Sequence, residues 1–199
     1  QVSIYDPVAT TLHVGNAGRY RTQGVEIDGV YAPPAVEGLR LRGALYYNHA
    51  RYREYVGPCY TGQTIAQGCN LAFNPVAGAF TSQDYKGRRG PRAPAWTASL
   101  GADYEAPISG GGLHIGLTGD VRYTSAFALG ETLSPLQRQK GYVDLNATVR
   151  LFDPDRGWEV ALIGRNLTDE LVGGNDIDNP GTGSGTGTTL GLVGDTYRS

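Results

Sequence analysis

Methionine is absent from this sequence, the three histidines are scattered, and only 18% of the residues are charged. With no initiator, and with residues 1–5 reading as the middle of a strand, the chain is expected to be an internal piece of a longer protein. A missing signal peptide then says nothing about export. There is no basic excess either: the net charge is −2 and the pI about 5.9, so no nucleic-acid partner is expected. Long apolar runs are lacking as well. Mean hydropathy is −0.31, and nothing approaches the ~18 consecutive apolar residues of a membrane-spanning helix. That excludes helical membrane proteins and leaves barrels open, since their strands alternate lipid-facing with lumen-facing residues and average out as polar.

Cysteine is scarce. Cys59 and Cys69 share one polar, Gly-rich stretch with no histidine nearby, so a metal site lacks ligands. A local disulfide in a surface loop of an oxidising compartment is the better reading, with two free thiols as the alternative. What the chain has in plenty is glycine, 30 residues, and tyrosine, 13. That composition favours many strands and turns over a helical bundle.

Six segments alternate with period two: 24–32, 39–48, 96–105, 113–123, 142–151 and 158–165. One parity carries Val25, Ile27, Leu41, Leu45, Leu100, Leu117, Val121, Leu145, Val149, Val160 and Leu162, with no charge in any segment. The other parity carries Glu26 and Asp28, Arg40 and Arg42, Asp103 and Glu105, Asp120 and Arg122, Asp144 and Arg150, Glu159 and Arg165. Once one charge sets each strand's phase, the second agrees in all six, roughly a one-in-64 coincidence under random parity.

A soluble sandwich and a membrane barrel would both show this alternation. Two features favour the barrel. Aromatics cluster toward the ends of the apolar faces, with Tyr31, Tyr104 and Trp158 at one end and Tyr47, Trp96 and Tyr123 at the other. Amphipathic rings at headgroup level give that pattern. The connections also alternate, tight at 33–38, 107–112 and 153–157, long and polar at 56–94, 125–141 and from 168 onward. Short periplasmic turns and long external loops account for the difference. Beyond Tyr47 the apolar parity turns charged, at Arg51 and Arg53, where the strand is expected to rise above the lipid. The expected fold is therefore all-β, an antiparallel up-and-down transmembrane β-barrel, here an incomplete, open curved sheet of about seven strands.

Three motifs carry a family resemblance. Asn16-Ala17-Gly18 leads into Thr22-Gln23-Gly24-Val25-Glu26. Asp84-Tyr85-Lys86-Gly87 precedes Pro91, Ala93-Pro94 and Trp96. Gly164-Arg165-Asn166-Leu167-Thr168-Asp169-Glu170 ends the sixth segment. In this order they resemble the C-terminal barrel portion of TonB-dependent outer-membrane receptors. The resemblance implies a 22-stranded barrel with an N-terminal plug, driven by the TonB complex, in the outer membrane of a Gram-negative cell. It implies uptake of a scarce nutrient: a ferric siderophore-like chelate, haem, cobalamin or an oligosaccharide. The plug, the TonB-contacting box and the aromatic-ended last strand have no counterpart in residues 1–199. The chain is expected to stop where a loop turns into that strand. A passive porin and a soluble carbohydrate-binding module are the alternatives.

Lys86, Arg88, Arg89 and Arg92 form the leading candidate site, a basic cluster at the outer rim. It suits an anionic chelate or lipopolysaccharide phosphates through charge-assisted hydrogen bonds; the plainer reading is a solvated loop base. Asn166-Leu167-Thr168 matches a glycosylation sequon but reads as structural in a strand. The run from Gly181 to Gly187 lacks the strand and helix of a phosphate loop, and Asp176-Ile177-Asp178-Asn179 does not complete a calcium loop. His13, His49 and His114 show no metal-ligand spacing. Asp103 and Glu105 share a face without a nucleophile or oxyanion donor. No catalytic constellation, cofactor or metal is expected.

Overall fold

The computed structural model describes residues 2–6, 11–15, 18–108, 110, 112–178 and 192–198, with side chains over 18–108, 110 and 112–176. A hairpin of β1 (Val2–Asp6) and β2 (Thr11–Gly15) comes first. Next are β3 (Arg19–Tyr31) and β4 (Leu39–Glu54), then the short strands β5 (Val56–Pro58), β6 (Leu71–Asn74) and β7 (Ala79–Asp84). β8 (Trp96–Pro107) and β9 (His114–Thr124) follow, with the two-residue strands β10 (Phe127–Ala128) and β11 (Arg138–Gln139) after them. The chain continues through β12 (Tyr142–Asp153), β13 (Trp158–Gly164), β14 (Leu171–Asp178) and β15 (Leu192–Arg198).

The six alternating segments become one open antiparallel sheet. Its order, β3-β4-β8-β9-β12-β13, follows the chain, so every neighbour is reached by a simple reversal. The register sets apolar parity against apolar parity throughout. Ile27 faces Leu45, Gly43 faces Leu100, Leu100 faces Val121, Val121 faces Leu145 and Val149 faces Leu162. A slip of one residue would turn each row over.

Among the described residues no second layer covers this apolar face. Leu100 is 65% exposed and Leu162 is 77% exposed. Buried apolar side chains cluster elsewhere, at Tyr52, Tyr55 and Tyr85 between the long connections. A water-soluble sandwich would hide the rows that are bare here. The wall has one oily face, and the tyrosine core found among the described residues lies beyond one end.

The polar face is tied by arginines that cross a glycine. Arg42, Gly101 and Asp120 lie in one row over three strands, and the Arg42 guanidinium pairs with both Asp120 and Asp103. Arg150, Gly116 and Glu105 repeat the arrangement at 3.5 Å, with Glu159 on the other side at 3.4 Å. Each glycine leaves a trough for the guanidinium: a Cβ on Gly101 would stand 2.5 Å from Arg42 Nε. Gly101→Ala is expected to lift Arg42 off Asp120 and to destabilise the sheet by ~1 kcal/mol, the low end for overpacking because a flexible side chain can yield. Gly119→Ala on the apolar face meets nothing within 4 Å and is expected to be neutral or slightly stabilising. Urea titration of both variants checks the contrast.

Two regions differ from expectation. β4 runs on to Glu54 and exposes Arg51 and Arg53, as expected of a strand that rises past Tyr47, but Asn48, Ala50 and Tyr52, on the polar parity, become buried under the following connection. The stretch from Thr168, expected as loop, contains β14, paired with β15 across a register shift. Thr196-Tyr197-Arg198, expected where a loop begins to turn, lies inside β15. Backbone pairing prevails there over a composition rich in Gly and Asp. Asn16, Ala17, Asn179, Ser199 and the glycine run 181–187 lie outside the described residues, as do the side chains of His13, Ile177 and Asp178.

Candidate functional site

The three long connections meet at the Tyr47–Trp96–Tyr123 end of the wall. The first folds into a small sheet, β5-β7-β6, closed by a bond between Cys59 and Cys69 whose Cα atoms are 5.7 Å apart. Closing a loop of this size contributes ~2–3 kcal/mol by constraining the unfolded chain. The Cys59→Ser, Cys69→Ser double variant is expected to loosen the segment 56–95 and leave the wall intact. Protease cleavage sites mapped before and after substitution check this.

Tyr20, Tyr52, Tyr55 and Tyr85 pack in a row above the polar face, edge-to-face for the first pair and tilted for the others, with successive ring centroids 4.7, 5.0 and 5.0 Å apart. The Tyr85 hydroxyl lies 2.7 Å from the Pro58 carbonyl and 3.1 Å from that of Thr132, and accepts from Gln83 Nε2 at 2.9 Å. It thereby joins the first long connection to the second. Burial pushes the Tyr52 hydroxyl up to about 12 and raises Tyr55 and Tyr85 as well. These phenols stay neutral at physiological pH and serve as packing and hydrogen-bonding groups.

The basic cluster splits. Arg88 is half-buried, donates to Gln83 Oε1 at 2.9 Å and sits 5.7 Å from the Tyr85 ring centroid. Arg89, also half-buried, donates to the Asn48 carbonyl. Both are committed to the protein. Lys86 and Arg92 are exposed. Lys86 lines an open groove of about 490 Å³ with Arg19, Arg53, Glu54 and Asp84, whereas the Arg92 backbone N–H binds the Ala128 carbonyl at 2.8 Å, at the second connection. Four residues adjacent in sequence therefore reach three different surroundings.

The motifs have structural reasons. Gly24 passes so close to the Tyr47 carbonyl that any Cβ would collide with it. Both the Ala95 and Trp96 N–H groups bind Ser125 Oγ at 2.9 Å, fixing the entry to β8. Asn166, at φ +47°, receives the Glu170 N–H on its side-chain oxygen at 2.8 Å and donates its amide to the Glu170 carbonyl at 3.0 Å. Thr168 Oγ1 donates to the Val143 carbonyl at 2.7 Å. Asn tolerates the left-handed region, so the apparent sequon is a knot tying the exit of β13 to β12. The family description "TonB dependent receptor-like, beta-barrel" matches residues 1–167.

The chain belongs to the TonB-dependent receptor family. The ferric yersiniabactin uptake receptor FyuA from Yersinia pestis has the same fold. It aligns at a TM-score of 0.64 and 15% identity over 94% of this chain and 23% of its own length. This TonB-dependent receptor chain thus spans about a quarter of that relative. No curated protein sequence matches it. Sequence reasoning missed Gln63 and Gln83, which help bind the rim together, and quoted Tyr85 only as part of the Asp84-Tyr85-Lys86-Gly87 motif, without its role as a buried link.

Proposed function

We propose that this chain forms wall and outer rim of an outer-membrane receptor that imports a scarce nutrient with energy from the TonB complex. A ferric siderophore-like chelate is the favoured cargo, with haem, cobalamin and an oligosaccharide as the other members of the class. The carrying observation is the pairing of a bare apolar face with an ion-paired polar face, in a chain of this receptor family. The wall does no bond chemistry; it supplies a rigid ring and a polar lumen. TonB would act through a plug, and outer-membrane lipid and lipopolysaccharide would surround the barrel of a Gram-negative cell.

Lys86 and Arg92 are the members of the basic cluster with exposed side chains, and they suit capture of an anionic chelate. Arg88 and Arg89 would hold the platform. A strain lacking the receptor gene is expected to grow poorly when iron is chelated, and to recover with the gene only where TonB is present. Recovery without TonB would favour a passive porin instead. Lys86→Gln with Arg92→Gln is expected to weaken capture of a ferric chelate, and unchanged uptake would remove these two residues from the site.

A further inference from the structure

We propose that the outer face of the small sheet β5-β7-β6 is a lateral contact between two copies of the receptor in the plane of the membrane. The proposal rests on the membrane reading above and adds a docking surface to it. Direction is the first observation. Burial alternates along β5, with Tyr55, Gly57 and Cys59 buried and Val56 and Pro58 exposed. A Cβ on Gly57 would strike the Tyr55 ring, so Gly57 lies on the side of the tyrosine core. Its register partner Gln83 bonds the Tyr85 hydroxyl on that side as well. The register then places Val56, Ser82, Leu71, Phe80 and Phe73 on the opposite face, turned away from the core.

Chemistry is the second. That face is apolar and open: Val56 is 58% exposed, Phe73 57%, and Val76, at the tip of the β6–β7 hairpin, 96%. Phe73 and Phe80 meet edge-to-face with ring centroids 5.3 Å apart. Residues 55–83 include no Asp, Glu, Lys, Arg or His, where an average stretch of that length carries about seven charges. Asp84, the register partner of Val56, closes the face at its lower margin. Exposed apolar surface bordered by polar groups marks a contact with another macromolecule or with lipid.

Height and symmetry choose the occupant. Tyr47 and Trp96 mark the edge of the hydrocarbon layer. Glu54, where β4 ends, lies seven residues beyond Tyr47, about 23 Å of strand and about 16 Å along the membrane normal at ~45° tilt. The polar layer on each side of a bilayer is ~5–8 Å deep, so the small sheet stands clear of lipid. With no cation in residues 55–83, lipopolysaccharide phosphates find no partner on it either. Two receptors in one membrane both stand upright. A twofold axis relating them therefore runs along the normal and joins the same sideways face of each. A neutral face meets its own copy without like-charge repulsion. The exposed parts of Val56, Leu71 and Phe73 amount to roughly 300 Å² per copy, short of the ~800 Å² per partner of a contact stable in solution. Confinement to the membrane plane fixes height and tilt and raises the effective concentration, which makes up the difference.

The test uses the intact receptor carrying this chain, reconstituted in phosphatidylcholine vesicles, with half of the copies bearing a donor dye and half an acceptor. Energy transfer is followed as added lipid dilutes the protein. The wild type is expected to stay paired to lipid-to-protein ratios on the order of tenfold higher than Phe73→Ser, the effect of losing one central aromatic anchor. Val56→Lys, on the open face, is expected to separate the copies as well by setting like charges against each other. Transfer at the level of random mixing, or equal transfer in the wild type and both variants, overturns the proposal. Val76→Cys treated with a bifunctional maleimide is expected to give a band of doubled mass. A link within one receptor, at unchanged mass, overturns the second copy in favour of another external loop. A link to a different protein in native outer membrane overturns it in favour of that partner. Should Phe73→Ser lose the small sheet, seen as protease cleavage within 56–95, Val56→Lys still decides. Heat-modifiable gel mobility reports barrel insertion separately, so a failed membrane reading is told apart from a failed contact.

Discussion

Leu100→Arg is expected to lower the stability of the inserted receptor by ~2–4 kcal/mol, the cost of a charge on the lipid face at mid-membrane. Leu100 sits in the middle of β8 between Gly43 and Val121, and it is 65% exposed, with none of the described residues layered over it. In water such a substitution would be harmless, since the guanidinium would simply replace an exposed methyl pair. Lipid reverses that expectation. Val143→Arg, which pairs with Tyr123 at the aromatic belt, is expected to cost only ~0–1 kcal/mol because depth sets the penalty. Thr97→Arg, three residues from Leu100 but on the polar parity, is expected to be tolerated. The measurement is the folded fraction against urea after insertion into lipid vesicles. Equal effects at Leu100 and Thr97, or solubility without detergent, would end the membrane assignment.

The wall was legible from sequence because the solvent differs on its two sides. Hydrocarbon forbids charge on one parity and water permits it on the other, so each strand repeats the same instruction independently of its neighbours. Start points at Leu39, Trp96, Tyr142 and Trp158 follow from that alternation and coincide with the observed strands. The rim was much less legible. Above Tyr47 both parities meet water or folded protein, and the code lapses. β5, β6 and β7 are three, four and six residues long, too short for periodicity to register. Their stability comes from contacts distant in sequence, such as Tyr85 with Thr132. The basic cluster failed as a unit for a related reason. Lys86, Arg88, Arg89 and Arg92 are neighbours along the chain, but Gly87, at φ +78°, and Arg92, at φ +51°, turn the backbone between them. Charge adjacency in a loop predicts composition, and the turns decide direction.

Tyr85 is expected to be the single most sensitive side chain of that rim. It is fully buried, and truncating a buried aromatic to alanine costs ~3–5 kcal/mol through lost burial and the cavity left behind. Tyr85→Ala also removes one of the acceptors of Gln83 Nε2 and the hydroxyl that links Pro58 to Thr132. Tyr85→Phe keeps the ring and loses only the hydroxyl's bonds, at ~1–2 kcal/mol. Tyr85 meets the six-stranded wall only at Tyr52, at the upper end of β4, so hydrogen exchange should rise in segments 56–95 and 125–141 while β4, β8 and β9 below Tyr47 stay protected. The same cluster fixes an alkaline limit. Burial raises Tyr52 to about 12, with Tyr55 and Tyr85 moved the same way, so the folded rim holds phenolic protons that an unfolded rim would release. Its stability is therefore complete below ~10, the ordinary tyrosine value, and falls as pH rises from there through about 12. Alkaline titration followed by tyrosine absorbance should show the rim opening in that interval with the wall still formed. Ordinary titration of Tyr52, Tyr55 and Tyr85 with the rim intact would mean that these three rings are not packed as a core.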